Sequence, residues 1–134
     1  MELVRKFKGV DYYNDTNATS PEAVIAAINA INKNIILIAG GNDKELDYRE
    51  MVEIIEKKVK TLVLIKGTAT DKIIKIMGYL VEAVDNMKDA VKKANKFAKK
   101  GDVVLLSPGA ASFGIFKNEY DRGNQFIKLV KKMK

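Results

Sequence analysis

Neither cysteine nor histidine occurs in the 134 residues. Without cysteine there is no disulfide framework, no thiolate metal site and no cysteine nucleophile. Without histidine there is no imidazole general base, no imidazole ligand and no Ser-His-Asp triad within the chain. No apolar run approaches the roughly 20 residues that span a bilayer. The opening stretch Met1 to Phe7 lacks the apolar core of a signal peptide. Two phosphate-binding patterns are missing as well. A P-loop needs a glycine-rich loop ending Gly-Lys-Ser/Thr, whereas Ile65-Lys66-Gly67-Thr68 inverts that order and lacks the first glycine. No G-x-G-x-x-G follows the first predicted strand. A complete ATP or dinucleotide site is therefore not expected here.

The length suits a single domain, residues 1–134, around one core. The formal net charge is +7. Lysines gather at Lys57-Lys58-Val59-Lys60, Lys92-Lys93, Lys99-Lys100 and Lys131-Lys132-Met133-Lys134, mostly where helices are expected to end. Cations there complement the helix dipole, so the excess reads first as solvated helix faces. An anionic partner surface is the alternative.

Val10 to Asn14 is predicted as a strand by its β-formers. Thr19 or Ser20 then caps a helix with Pro21 and Glu22 in its first turn and Val24, Ile25, Ile28 and Ile31 at helical spacing, running through Asn32. Ile35 to Ala39 is a continuous apolar run, the mark of a strand buried on both faces. A helix over Tyr48 to Val59 turns Met51, Val52, Ile54 and Ile55 inward, and Thr61 to Ile65 is another buried strand. Asp71 to Met77 is a short helix stopped by Gly78, and Leu80 to Val84 reads as a weaker edge strand. Met87 to Lys100 is a long helix ended by Gly101, Val103 to Leu106 a core strand. The last helix runs from Asn118 or Glu119 to Lys132, with Phe126, Ile127 and Val130 inward. Strands alternating with helices over short connections predict an α/β, Rossmann-like open and mostly parallel sheet with helices on both faces.

Three loops then stand out: Asn14 to Pro21, Gly40-Gly41-Asn42-Asp43-Lys44, and Ser107-Pro108-Gly109-Ala110-Ala111-Ser112. Each leaves a predicted strand toward a helix, so they should meet at the carboxyl ends of the strands, where such sheets bind ligands. Small residues would let a ligand approach the backbone, and the hydroxyls, amides and Lys44 suit a small anion. The plainer alternatives are a helix cap at Thr19 or Ser20, a turn at Gly40-Gly41, a surface Lys44, tight packing of a helix start on the sheet at Ser107 to Ser112, and an N-cap at Ser112.

In this order and spacing the loops resemble the C-terminal domain of the Mur ligase family, and within it the branch that adds D-glutamate. Tyr13 to Pro21 is similar to the family's Asn-Asp-Ser-Lys-Ala-Thr-Asn-Pro stretch. Ile36 to Lys44 is similar to its Ala-Gly-Gly-x-x-Lys loop. Leu105 to Phe113, with Phe116-Lys117-Asn118 and Arg122-Gly123, is similar to its Ser-Pro-Ala-x-Ala-Ser…Phe-Lys-Asn…Arg-Gly signature. The resemblance implies a domain of an ATP-dependent ligase of peptidoglycan biosynthesis, which joins D-glutamate to UDP-MurNAc-L-alanine. The UDP-binding and central ATPase domains, with ATP and Mg2+, would lie outside this chain. It implies that Thr19, Lys44 and Ser112 hold the D-glutamate carboxylates with help from the backbone at Phe113. Asp15 and Asn17 would face the nucleotide. No catalytic residue and no metal site is expected within this domain, which alone would be inactive. The full enzyme would be cytoplasmic and monomeric, without nucleic-acid or membrane partners. Asn17 stands where the family often has lysine, and Glu119 where it often has an aromatic, with Tyr120 next to it. The sister ligases for folylpolyglutamate or for L-lysine and diaminopimelate commonly carry histidine in the first loop. From another class, a stand-alone Rossmann-like module for an anionic ligand or nucleic acid is the competing reading, resting on the +7 charge.

Overall fold

A computed structural model describes residues 1–134. In chain order the elements are β1 (Glu2–Phe7), β2 (Val10–Asn14), α1 (Pro21–Ala30), β3 (Ile35–Ala39), α2 (Arg49–Lys58), β4 (Val59–Leu64), α3 (Thr68–Met77), α4 (Met87–Phe97), β5 (Val103–Leu106) and α5 (Glu119–Lys132). The strands form one five-stranded sheet in the order β1-β2-β5-β3-β4. β1 runs antiparallel to β2 and the other pairs are parallel. This is the expected Rossmann-like α/β architecture.

Alternation along the central strands divides the core in two. Ile35, Leu37 and Ala39 of β3 join Leu64, Val103 and Leu105 on one face, under α1, α2 and α3. Ile36 and Ile38 join Val63, Val104 and Leu106 on the other, under α4 and α5. A strand apolar at every position is what a sheet covered on both faces requires. β3 and β5 are fully buried, and each buried side chain of that size stabilises by roughly 1.5–3 kcal/mol.

The chain leaves β2 and β3 toward helices on the first face but leaves β5, lying between them, toward α5 on the second. In such sheets ligands bind at the carboxyl ends of strands whose connections part to opposite faces. The three loops chosen from the sequence are the three that leave those strands.

Several boundaries differ from expectation. β1 is an addition: Glu2, Arg5 and Lys6 give it too much charge and no regular alternation, so it does not read as a strand, yet charge is what protects an exposed sheet edge. Phe7 pairs with Val10 across Lys8 and Gly9, whose φ values of 52° and 78° make the two-residue turn favoured in hairpins. Residues 80–84 are not a strand. Only Val84 bridges to Ile65, while Leu80 is 90% exposed. After Gly78 ends α3 with φ 80°, the chain crosses the β4 edge from one helical layer to the other, so just one residue lies alongside the sheet. α3 starts earlier than expected, at Thr68, and β4 starts two residues sooner, at Val59. α4 ends at Phe97, short of Gly101, which serves the following turn by donating its N–H to the Gly9 carbonyl at 2.8 Å.

Lysines occupy the last turns of α2, α3, α4 and α5. No helix is long and apolar enough to cross a membrane.

Candidate functional site

The loop after β2 is tied to the loop after β5. Asp15 N–H donates to the Leu106 carbonyl at 2.8 Å, Gly109 N–H to the Ala18 carbonyl at 2.7 Å, and the Ser107 hydroxyl to the Asp15 carboxylate at 3.0 Å. Ser20, not Thr19, caps α1, its hydroxyl accepting from Ala23 N–H at 3.3 Å. Thr19 is thereby left half-buried, with a hydroxyl that takes no partner in the chain. Asn17 is exposed beside it.

The loop after β3 is tied to the same β5 loop from the other side. Gly40 N–H donates to the Pro108 carbonyl at 2.9 Å, and Asn42 and Ala111 exchange N–H···O bonds at 3.0 and 2.9 Å. The Asn42 side chain donates to the Phe113 carbonyl and accepts from Thr68 N–H at 3.3 Å, so one asparagine joins three loops. The glycines of this loop serve protein contacts. A Cβ on Gly41, at φ 141°, would sit 2.5 Å from the Ala111 carbonyl oxygen. The space expected to admit a ligand at the Gly40-Gly41 backbone is filled by the neighbouring loops, which corrects that reading of the small residues.

In the third loop Ser112 is 4% exposed. No helix starts there, since α5 is capped by Asn118, whose side chain accepts from Asp121 N–H at 2.7 Å. The Ser112 hydroxyl makes no hydrogen bond in the chain yet still meets solvent, because the only sealed side-chain polar atom without a partner is the Tyr48 hydroxyl. Phe113 is exposed and its N–H takes no backbone partner. Lys44 is exposed and takes part in none of the ion pairs.

Backbone bonds thus set Ala18 against Gly109 and Asn42 against Ala111, so Thr19, Lys44, Ser112 and Phe113 follow within one or two residues of two adjoining contacts on one rim. Most other polar groups of these loops are spent on one another. The four named residues keep an ammonium, two hydroxyls and an amide unspent. Such a set matches a carboxylate, which needs a cation plus neutral donors. Asp15 lies at the same rim, one carboxylate oxygen engaged by Ser107 and the other 3.6 Å from the Met1 ammonium. No group of three acidic side chains converges to hold a metal.

Arg122, quoted in the sequence signature but given no role there, organises this rim. It is 1% exposed. Its Nε and Nη2 donate to the Thr16 hydroxyl and carbonyl at 3.0 and 2.7 Å, and its Nη1 to the Ala110 carbonyl at 3.0 Å. The planar guanidinium suits such a fork of acceptors. Burial pulls its pKa down to about 10, with Glu119 acting the other way, so it stays charged at neutral pH. Gly123 beside it lets α5 close on Thr16, whose Cγ2 would stand 2.6 Å from any added Cβ. Composition could not have found Arg122, and only its place in the family signature pointed to it.

The model of the family described as Mur ligase, glutamate ligase domain, matches residues 1–110. UDP-N-acetylmuramoylalanine–D-glutamate ligase of Roseiflexus sp. is 46% identical over 97% of this chain. The ligase of the same name from Acetivibrio thermocellus is 43% identical over 97%. The chain spans only 29% and 30% of those relatives. Among solved structures, a MurF ligase from Thermotoga maritima in complex with ADP superposes with a TM-score of 0.61 at 23% identity, covering 96% of this chain and 30% of that one. That likeness bears on the fold, while the family match rests on sequence. The chain belongs to the family of Mur ligase, glutamate ligase domains.

Proposed function

We propose that this chain is the amino-acid-binding part of an ATP-dependent ligase that joins D-glutamate to UDP-MurNAc-L-alanine in cell-wall synthesis. The observation that carries this is the cluster of unspent donors on one rim: the Lys44 ammonium, the Thr19 and Ser112 hydroxyls and the Phe113 N–H. In this reading Lys44 neutralises a D-glutamate carboxylate, the two hydroxyls and the amide orient both acid groups, and the free amine is aimed at the activated carboxyl carbon of the partner substrate. Positioning of this kind supplies several kcal/mol of barrier reduction. Asp15 and Asn17 face the nucleotide.

The sequence holds no P-loop, and no group of three acidic side chains converges. We place ATP and Mg2+ on the remainder of a longer ligase, so the chain alone performs no ligation. The reading includes a cytoplasmic, monomeric enzyme with no nucleic-acid or membrane partner.

The test is an NMR titration of the chain with D-glutamate, and with L-glutamate for comparison. Binding is expected at about 1 mM or weaker, because half the site is elsewhere, with shifts centred on Thr19, Lys44, Ser112 and Phe113. In the whole ligase, Lys44→Ala or Ser112→Ala should raise the KM for D-glutamate roughly tenfold to a hundredfold, the loss of one charge-assisted bond of about 1.5–3 kcal/mol. Unchanged kinetics in both variants would overturn the assignment.

A further inference from the structure

The short turn that carries Lys44 is crowded with acid: Asp43 precedes it, and Glu45 and Asp47 follow. An ammonium this close to carboxylates is attracted to each of them. Lys44 pairs with none of them; Asp43 and Asp47 are engaged by other cations, while exposed Glu45 is in no ion pair. Asp43 is held by Lys72 of α3, whose Nζ donates to Oδ2 at 2.8 Å. Asp47 is held by Arg49, the closest approach being 2.6 Å. The hold on Asp43 extends further. Its Oδ1 accepts from Leu46 N–H at 3.1 Å, and its own N–H donates to the Thr68 hydroxyl at 2.9 Å. Lys72 Nζ also donates to the Leu46 carbonyl at 3.1 Å, so one ammonium grips both sides of the Lys44-Glu45 step. Glu45 itself takes a left-handed φ of 61°. Beneath, the Lys72 ammonium lies 5.7 Å from the ring centroid of Tyr48, which is 1% exposed.

We propose that Lys72 is a positioning residue for the site: by occupying Asp43 and clamping Leu46 it keeps the Lys44 ammonium free for the carboxylate of an incoming amino acid. The inference rests on the proposed role of Lys44 in binding D-glutamate and adds a residue on a different element that makes that role available. In agreement, the Asp43 carboxyl is held below the ordinary carboxylate range, first by the Lys72 hydrogen bond, with burial opposing and Leu46 N–H assisting. Lys72 is 44% exposed in its side chain. A pair that open to solvent contributes little to the stability of a fold, so its removal should be felt at Lys44 and not in the melting temperature.

The direct test is competitive labelling of the folded chain with a trace of acetic anhydride at neutral pH, with the extent at Lys44 read by peptide mass spectrometry. Lys72→Ala frees Asp43 to pair with Lys44, so Lys44 labelling should fall by about threefold to fivefold, the effect of one exposed ion pair. The double variant Asp43→Asn with Lys72→Ala removes the one carboxylate that the loss of Lys72 frees and should restore the parent rate, with the Leu46 N–H still donating to the asparagine oxygen. Lys44 labelling that is unchanged in Lys72→Ala, or that does not recover in the double variant, overturns the inference whatever D-glutamate does. The same three proteins, with Lys44→Ala, are then titrated with D-glutamate. Affinity should follow the labelling rate of Lys44. If Lys44→Ala binds D-glutamate as the parent does, the role of Lys44 fails, a result distinct from any change in labelling.

Discussion

The two rims of the sheet make an instructive contrast. At the amino ends of the strands a cleft of about 530 Å3 is lined by Ile28, Asn29, Asn32, Lys33, Asn34 and Lys58. It is roomy and polar, but its cations are engaged. Lys58 donates to Asn29 at 2.6 Å, Lys33 to Asp11 at 3.2 Å, and nearby Lys60 to the buried Asp102 at 2.6 Å. At the carboxyl ends the loops are laced together more tightly, and yet Lys44, Thr19 and Ser112 are left over. Cavity volume and unspent donors therefore point to different rims. The better mark of a binding site is a set of donors whose own chain does not satisfy them, held in place by groups that are fully satisfied.

That contrast can be broken most forcefully at Arg122. Arg122→Ala leaves the Thr16 and Ala110 carbonyls without their donor inside the fold, and should cost about 3 kcal/mol in denaturant unfolding. A cost below about 1 kcal/mol would show that the carboxyl rim does not depend on this guanidinium. Next in size is Gly41→Ala. The new Cβ meets the Ala111 carbonyl and the backbone is strained at φ 141°, so a loss of about 2 kcal/mol is expected. Amide shifts should spread from Asn42 to Ser112, and an unaltered spectrum there would contradict the close approach of the two loops.

The smallest effect belongs to the amino rim. Burial pushes the Asp102 carboxyl up, but the Lys60 ammonium and the Lys99 N–H outweigh this and hold it below the ordinary range. A depressed carboxyl stabilises the fold above its unfolded pKa of about 3.9 and loses that contribution as the pH falls through its folded value. Asp102→Asn should cost about 1 kcal/mol at pH 7, with the gap to the parent closing as the pH falls below the unfolded carboxylate value of about 3.9. It should leave the amides of Thr19, Lys44 and Ser112 in place. A gap independent of pH would mean that the charge of Asp102 is not what stabilises, and shifts at those amides would tie together two rims that the geometry keeps apart.

Much of this architecture was legible before any coordinates. β3 and β5 are short, wholly apolar and bounded by turn residues, and both lie where the sequence puts them. The loops that follow β2, β3 and β5 were recognised by their residues and do meet at one rim. Three things were not legible. β1 is hidden by its charges and exists because β2 offers it an edge. Residues 80–84 have a strand-like composition but pass the sheet at a single point. The glycines look like room for a ligand and are instead room for other loops. For Val84 and for the glycines the deciding contact is with a segment far along the chain, which periodicity does not record, whereas β1 pairs with the strand next to it in sequence.

What the amino acids determined by themselves was the sequence of elements and the chemistry on offer: no thiol, no imidazole, no P-loop, and loops rich in hydroxyls with one lysine. Helical and strand periods, caps and turns are written within a few residues of each other, so local reading recovers them. The tertiary structure alone decided which donors are spent and which are free. Arg122 reaches Thr16 across 106 positions, and Lys72 reaches Asp43 across 29. Bonds over such distances form only when the sheet brings its carboxyl edge together.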